Sequence, residues 1–193
     1  MIFLASSSQR RAELLRQIGI DFKILETSID ESRLPAESAE EYVCRMAETK
    51  ARAGEKMVSA MAEPLPVLAA DTIISIDGSI VGKPGDSQDC RRILANLSAR
   101  RHQVLSAVVL VYAGRLELKI SLNQVKFRTL EEWEVEAYCA QEEPFDKAGA
   151  YAIQGKAAIF IEHLEGSYSS VMGLPLFETA ELLQQAGISV LKQ

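Results

Sequence analysis

Pro66-Val67-Leu68-Ala69-Ala70-Asp71-Thr72-Ile73-Ile74-Ser75-Ile76 is an apolar run that carries a single charge, and its reading decides the fold. A continuous apolar stretch of this kind marks a central β-strand. Asp77-Gly78 follows it as a hairpin turn signal, with Ser79-Ile80-Val81 as the return strand. Upstream, Ser38 and Glu41 stand three apart as a capping box. The helix they open buries Val43, Met46 and Ala47 and runs past Lys50 toward Lys56. Further out, Met1-Ile2-Phe3-Leu4-Ala5 reads as a buried first strand. Ser8 N-caps the helix after it, which carries Leu14, Leu15 and Ile18 on one face and closes at Gly19. Residues 22–25 read as a strand.

Downstream, Asp86 caps a helix containing Ile93, Leu94 and Leu97. Residues 103–112 and 116–127 are β-rich runs on either side of Ala113-Gly114, a hairpin. Thr129 and Glu132 form a second capping box, for a helix that reaches Ala140. Ile159-Phe160-Ile161 reads as a strand, and Pro175 starts a last helix through Leu183 that ends before Gly187. Strand and helix signals alternate, so the class is α/β. There is no internal repeat and no low-complexity tract.

The 193 residues suit one domain, taken here as 1–193. Apolar residues at 48% and charged residues at 25% argue against disorder and against a coiled coil. A net charge of −6 makes the chain a poor general binder of nucleic acid, so a polyanionic ligand must be met by a local cluster of bases. No apolar run approaches the ~20 residues that span a bilayer. The apolar N-terminus is too short for a signal segment, and Arg10-Arg11 follow it rather than precede it. Neither a nucleic-acid nor a membrane partner is expected. Cys44, Cys90 and Cys139 are far apart and form no CxxC pair. They are predicted to be free packing residues in a reducing cytoplasm, not a disulfide or a zinc site.

Four stretches put polar groups where a packing role is least expected. In Leu4-Ala5-Ser6-Ser7-Ser8-Gln9-Arg10-Arg11, three hydroxyls and the N–H groups of a following helix make an anion seat, and two arginines add forked donors. The same residues also read as a plain serine cap followed by solvated arginines. Asp71, on its apolar strand, would be costly if buried unpaired, so it is expected to face a site, as a metal ligand or a proton acceptor. A structural aspartate bonded to a loop is the alternative. Gly82-Lys83-Pro84 resembles a phosphate loop only superficially. Gly78 and Gly82 have three residues between them where that motif needs four, and Pro84 stands where it needs Ser or Thr. Lys83 remains a candidate phosphate ligand or a solvated lysine. Pro144-Phe145-Asp146-Lys147-Ala148-Gly149-Ala150-Tyr151-Ala152-Ile153-Gln154-Gly155 looks like a ligand-facing loop. In it Gln154 has the donor and acceptor needed to read a nucleobase edge. An irregular connection is the other reading.

Together these segments resemble the Maf family. The matching stretches are Leu-Ala-Ser-x-Ser-x-Arg-Arg-x-x-Leu-Leu from Leu4 to Leu15, Ala70-Asp71-Thr72, Gly82-Lys83-Pro84, Asp-Lys-Ala-Gly-x-Tyr-x-Ile-Gln-Gly from Asp146 to Gly155, and Gly173-Leu174-Pro175. They occur in family order from Leu4 to about Leu183. The resemblance implies a mixed sheet with flanking helices, in two lobes around a central cleft, similar to the inosine triphosphate pyrophosphatases. It implies hydrolysis of a nucleoside triphosphate between the α- and β-phosphates with a divalent cation, Mg2+ or Mn2+. The catalytic aspartate falls on Asp71. Phosphate and metal positions fall on Ser6, Ser8, Arg11, Glu31, Lys50 and Lys83, with Glu31 and Asp71 as the metal carboxylates. Asp146 and Lys147 lie in the substrate loop. Arg10, Thr72 and Gln154 match the branch that acts on dTTP and UTP. Its sister branch, acting on 7-methyl-GTP, has Trp, Gln and Glu there.

The chain departs from the family pattern at Ala99, Ser106, Ala152 and Ser170. None of these is expected to touch a proposed catalytic group, so they bear on the fine geometry of the base loop more than on activity. His102 is expected to be structural and His163 a surface residue. The net negative charge gives no long-range attraction for a triphosphate, since charges are screened beyond ~8 Å. Arg10, Arg11, Lys50 and Lys83 must therefore neutralise it locally. The metal would polarise the α-phosphoryl group and acidify a water, with Asp71 as base, ligand or both. A rival reading is a nucleotide-sensing regulator of septum formation that binds without catalysis. The resemblance leaves a homodimer open.

Overall fold

The computed structural model describes residues 1–60 and 65–191. In chain order the elements are β1 (Ile2–Leu4), α1 (Gln9–Gln17), β2 (Phe22–Ile24), α2 (Ala39–Val58), β3 (Val67–Ile76), β4 (Ser79–Val81), α3 (Ser87–Leu97), β5 (Arg101–Tyr112) and β6 (Arg115–Phe127). They continue with α4 (Glu132–Cys139), 3-10 turns at Ala148–Ala150 and Lys156–Phe160, β7 (Ile161–Glu165), α5 (Tyr168–Met172) and α6 (Leu176–Gln185). One mixed sheet runs β2-β1-β3-β5-β6-β7, with β4 also on β3. β1 is parallel to both β2 and β3, and the remaining pairs are antiparallel. The α/β class is as expected.

The edge of β3 away from β5 is shared between two partners. β1 pairs with it at Val67 and Leu68, and β4 at Ile74, Ser75 and Ile76. Between these, neither strand covers the edge, and Asp71-Thr72 sit in that gap. A split of this kind leaves room for a ligand next to a backbone held rigidly on its other side by β5.

Side chains alternate across the strand, so the two faces of β3 meet different layers. Val67, Ala69 and Ile73 pack with Phe3 and Ala5 against Val43, Ala47 and Ala51 of α2. Leu68 and Ala70 pack with Ile2 and Leu4 against α1 and α6, through Ala12, Leu15, Leu182 and Leu183. A third cluster joins Ile74 and Ile76 to α3, α4 and the 3-10 turns.

α2 begins at the expected capping box: Glu41 N–H donates to Ser38 Oγ at 3.2 Å, and Ser38 N–H donates to Glu41 Oε2 at 2.8 Å. Its buried row, Val43, Met46, Ala47, Ala51, Gly54 and Val58, follows helical spacing. Gly54 lets the helix lie close to the sheet, since a Cβ there would come within 2.9 Å of Val67 Cγ1. Lys50 stands one turn from both Met46 and Gly54 on the same side, so its stem runs along the sheet toward β3.

Three expectations are corrected, and a fourth, the Ser8 cap, holds in position but not in bonding. Cys90 and Cys139 form a disulfide with their Cα atoms 5.9 Å apart, joining α3 to α4, and Cys44 is free. Their spacing in sequence concealed this because they are brought together only by helix packing, and cysteine usage then gives no argument for a reducing compartment. The second capping box is Glu131 with Glu134, not Thr129 with Glu132. Leu130 turns into the core and its N–H is taken by Ser98 Oγ, so the helix starts later. Residues 159–160 belong to a 3-10 turn and the strand begins at Ile161. Glu143 sets that turn by accepting hydrogen bonds from Lys156 N–H at 3.1 Å and Ala157 N–H at 3.5 Å. Ser8 is the N-cap of α1, but its side chain makes no capping bond; Ser8 N–H donates to Ser6 Oγ instead.

Candidate active site

A cavity of about 1050 Å³ opens at the gap in the sheet, and every sequence-predicted site residue lines it: Ser6, Ser8, Arg10, Arg11, Glu31, Lys50, Asp71, Thr72, Lys83, Asp146, Lys147 and Gln154. Seven chain segments supply them. The β1–α1 turn brings the serines, the first turn of α1 the arginines, the loop before α2 Glu31, and α2 Lys50. β3 brings Asp71 and Thr72, and the loops after β4 and α4 bring the rest. The last two loops are tied by Gly149 N–H donating to Gly82 O at 2.9 Å. Gly149 is required there: its φ is +69°, and a Cβ would meet Ile74 Cδ1 at 2.4 Å.

At the centre, Lys50 Nζ bridges two carboxylates, 2.7 Å from Asp71 Oδ1 and 2.7 Å from Glu31 Oε1. Asp71 is buried, at 9% exposure, so this pairing offsets the cost that its position on an apolar strand implied. The pKa of Glu31 is lowered, first by its hydrogen bond from Lys50 and then by the nearby charges of Lys50, Lys83 and Arg11. Its loop is pinned at several points. Tyr42 Oη donates to Glu31 O at 2.8 Å, and Arg45 donates to Ser32 O at 3.0 Å while forking onto Glu37.

Arg11 is fixed by donating from Nε to Gly173 O at 2.8 Å and from Nη1 to Ser6 Oγ at 3.1 Å. Burial lowers the pKa of its guanidinium, and Asp71 nearby works against that. Asp146 holds two cations at the rim, Lys147 in direct contact and Arg10 at 3.8 Å. Its own burial opposes ionisation, but these partners outweigh it and lower its pKa. Lys83 and Gln154 are exposed and face the cavity without a protein hydrogen bond among the described residues.

Thr72 makes different contacts. Its Oγ1 lies 2.8 Å from Ser106 Oγ and donates to Gly173 O at 3.3 Å. Sequence reading placed Ser106 and Ser170 away from the site's main groups. The structure puts Ser106 directly against Thr72, with Ser170 O behind it. A signal existed: Ser106 is a polar residue in an apolar strand, as Asp71 is. Tyr42 had none, and Gly173 was marked only as part of the Gly173-Leu174-Pro175 stretch. His102 is buried, with Nε2 2.7 Å from Tyr151 Oη, and His163 is exposed. Ala99, where the family pattern has Gly, is left-handed at φ +58°.

Among the described residues no group of three or more His, Cys, Asp or Glu side chains could hold a metal, and no helix is long and apolar enough to cross a membrane. The carboxylate pair does suit a hard cation. Its donors are all oxygen, they already share one positive charge, and Mg2+ is commonly held by one or two carboxylates with substrate phosphates completing the shell.

Known proteins resemble this chain over nearly its whole length. A protein of Chromobacterium violaceum named dTTP/UTP pyrophosphatase is 50% identical over 98% of this chain and 96% of its own length. A Nitrosomonas europaea protein of the same name is also 50% identical over 98% and 96%. One from Aromatoleum aromaticum, likewise so named, is 48% identical over 96% and 95%. The family described as Maf-like protein matches residues 1–186, and the chain belongs to the Maf family.

Proposed function

We propose that the protein hydrolyses dTTP and UTP between the α- and β-phosphates, releasing the nucleoside monophosphate and pyrophosphate, with the whole chain acting as one two-lobed catalytic unit. The observation that carries this reading is the Lys50 bridge between Asp71 and Glu31, inside a cavity also lined by Arg10, Arg11, Lys83 and Lys147. The names of the relatives support the substrate pair.

Arg11, Lys83 and Lys147 bind the polyphosphate, and the N–H groups at the start of α1 add donors beside Ser6 and Ser8. Glu31 and Asp71 would hold a divalent cation, which when bound supplies Lewis-acid polarisation of a phosphoryl oxygen. Lys50 occupies Asp71 Oδ1, leaving Oδ2 to accept a proton from the attacking water. Thr72 and Gln154 face the base. A neutral amide at 154 suits the imide edge of uracil or thymine.

The test is pyrophosphate release across UTP, dTTP, CTP, GTP and ATP with Mg2+ and Mn2+, on wild type and Gln154→Glu. UTP and dTTP should be preferred, release should need the cation, and Gln154→Glu should erode the preference. Tight UTP binding with no pyrophosphate release under either cation would identify a nucleotide sensor instead.

A further inference from the structure

We infer that Ser106 is a positioning residue: it fixes the polarity of the Thr72 hydroxyl, making it a standing acceptor for the imide N–H of a uracil or thymine base. This rests on the proposed dTTP/UTP activity and adds a reason for the site to favour uracil or thymine over cytosine.

A hydroxyl is ambivalent, because its one proton can turn toward or away from a ligand. Here the proton count removes the choice. Thr72 and Ser106 are direct partners in the β3–β5 register. Ser106 donates its proton to Ser170 O at 2.7 Å, at a site with 0% exposure where no bulk water competes. In the 2.8 Å contact between the two hydroxyls, Ser106 must therefore accept and Thr72 must donate. The Thr72 proton is shared with Gly173 O, 3.3 Å away, which keeps it pointing into the protein. No protein donor reaches Thr72 Oγ1 among the described residues, so its lone pairs are left for the cavity.

The acceptor at the end of this relay is itself held. Ser170 Oγ accepts from Asn123 Nδ2 at 2.8 Å, and Asn123 Oδ1 accepts from Ser167 N–H at 2.7 Å. Gly166, at φ +119°, lies so close that a Cβ would be 2.4 Å from Asn123 Oδ1. Ser170 O itself also accepts from Gly173 N–H at 2.9 Å, so the residue is held at both its side chain and its carbonyl. An imide N–H meeting Thr72 finds a lone pair. The unprotonated ring nitrogen of cytosine at the same place meets lone pair with lone pair, so this contact is lost.

The experiment compares kcat/KM for UTP and CTP in wild type, Ser106→Ala, Ser106→Thr, Thr72→Val and the Ser106→Ala/Thr72→Val double variant. Ser106→Ala should shrink the UTP-over-CTP ratio roughly 10-fold, the scale of one hydrogen bond. Ser106→Thr, which keeps the hydroxyl, should restore it. In the Thr72→Val background Ser106→Ala should change the ratio no further, since it acts only through that hydroxyl. Ser106→Cys, similar in size with a weak donor, carries the same comparison if the alanine variant does not fold. Equal losses for UTP and CTP, or an unchanged ratio, would overturn the relay and leave the functional reading standing. Absence of UTP hydrolysis by wild type would overturn the functional reading and the relay with it.

Discussion

Asp71 and Thr72 are neighbours in the chain, yet they belong to two chemically different regions. Asp71 points toward α2, where its partner is the Lys50 ammonium and, beyond it, a Glu31 side chain that is 56% exposed on a loop. Thr72 points the other way, into hydroxyls and carbonyls with no formal charge, where Ser106 and Ser170 are both at 0% exposure. The ionic side is exposed at its outer end, where the Glu31 side chain meets solvent. Behind Thr72 the neutral side is buried at Ser106 and Ser170, and only the cavity face of Thr72 is left open. The contrast follows from the tasks. Polyphosphate chemistry moves charge and needs groups that can trade partners, whereas reading a base needs a donor or acceptor that cannot turn round. Gly173 O links the two, accepting from Arg11 on one side and Thr72 on the other.

If the division is real, damage to the ionic side should cost rate without costing discrimination. The largest effect is expected from Asp71→Asn, at least ~100-fold in kcat on UTP, dTTP and CTP alike, the scale of a lost general base. Near wild-type turnover by the folded variant would refute that role. Lys50→Met is next. It leaves Asp71 and Glu31 as unscreened like charges and removes the clamp that orients them, so kcat/KM should fall about 10-fold for every nucleotide. A shift in the UTP-to-CTP ratio in either variant would break the comparison.

The smallest effect concerns the neutral side and acid. His102 is buried beside Tyr151, and burial pushes its pKa down to about 4. In the unfolded chain the same imidazole titrates near ~6.5. Between these values the unfolded state binds a proton that the folded state does not, so stability falls as pH drops from about 6.5 toward 4. Above that window the folded protein carries no such penalty. One pH unit below the upper limit the loss should be about 1 kcal/mol, read as the change in urea midpoint, and His102→Gln should flatten it. A wild-type midpoint that stays constant from pH 7 to 5 would rule out a neutral buried imidazole. Glu31 acts in the same sense at lower pH: its depressed pKa gives an interaction present at neutral pH and lost as pH falls through that lowered value.

Much of this molecule is legible in its residues. The apolar run of β3, the Ser38–Glu41 box, the Asp86 cap and the two hairpin turns each rest on local forces, and each stands where local rules place it. The misread elements are those where a distant contact overrides the local signal. Thr129 has the right spacing for a cap, but the helix start is decided by Leu130 entering the core and by Ser98 from another helix end. Residues 159–160 have strand-like composition, but the Glu143 carboxylate, 13 residues before Lys156, turns the backbone into a 3-10 turn. The cysteine pair is 49 residues apart and meets only because α3 and α4 pack together.

The sequence by itself determined which chemistry is available: Asp71 alone on an apolar strand, cations in turns and loops, and Gln154 with both a donor and an acceptor. Burying a lone carboxylate or stranding a cluster of bases is too costly to be incidental, and that cost can be read without coordinates. Only the tertiary structure decided how the groups are partnered. That Lys50 joins Asp71 to Glu31, and that Ser106 dictates which way the Thr72 proton points, depends on strand register and helix approach. Hydrogen bonds have a reach of about 3 Å, and no one-dimensional spacing specifies a distance of that size between segments far apart in the chain.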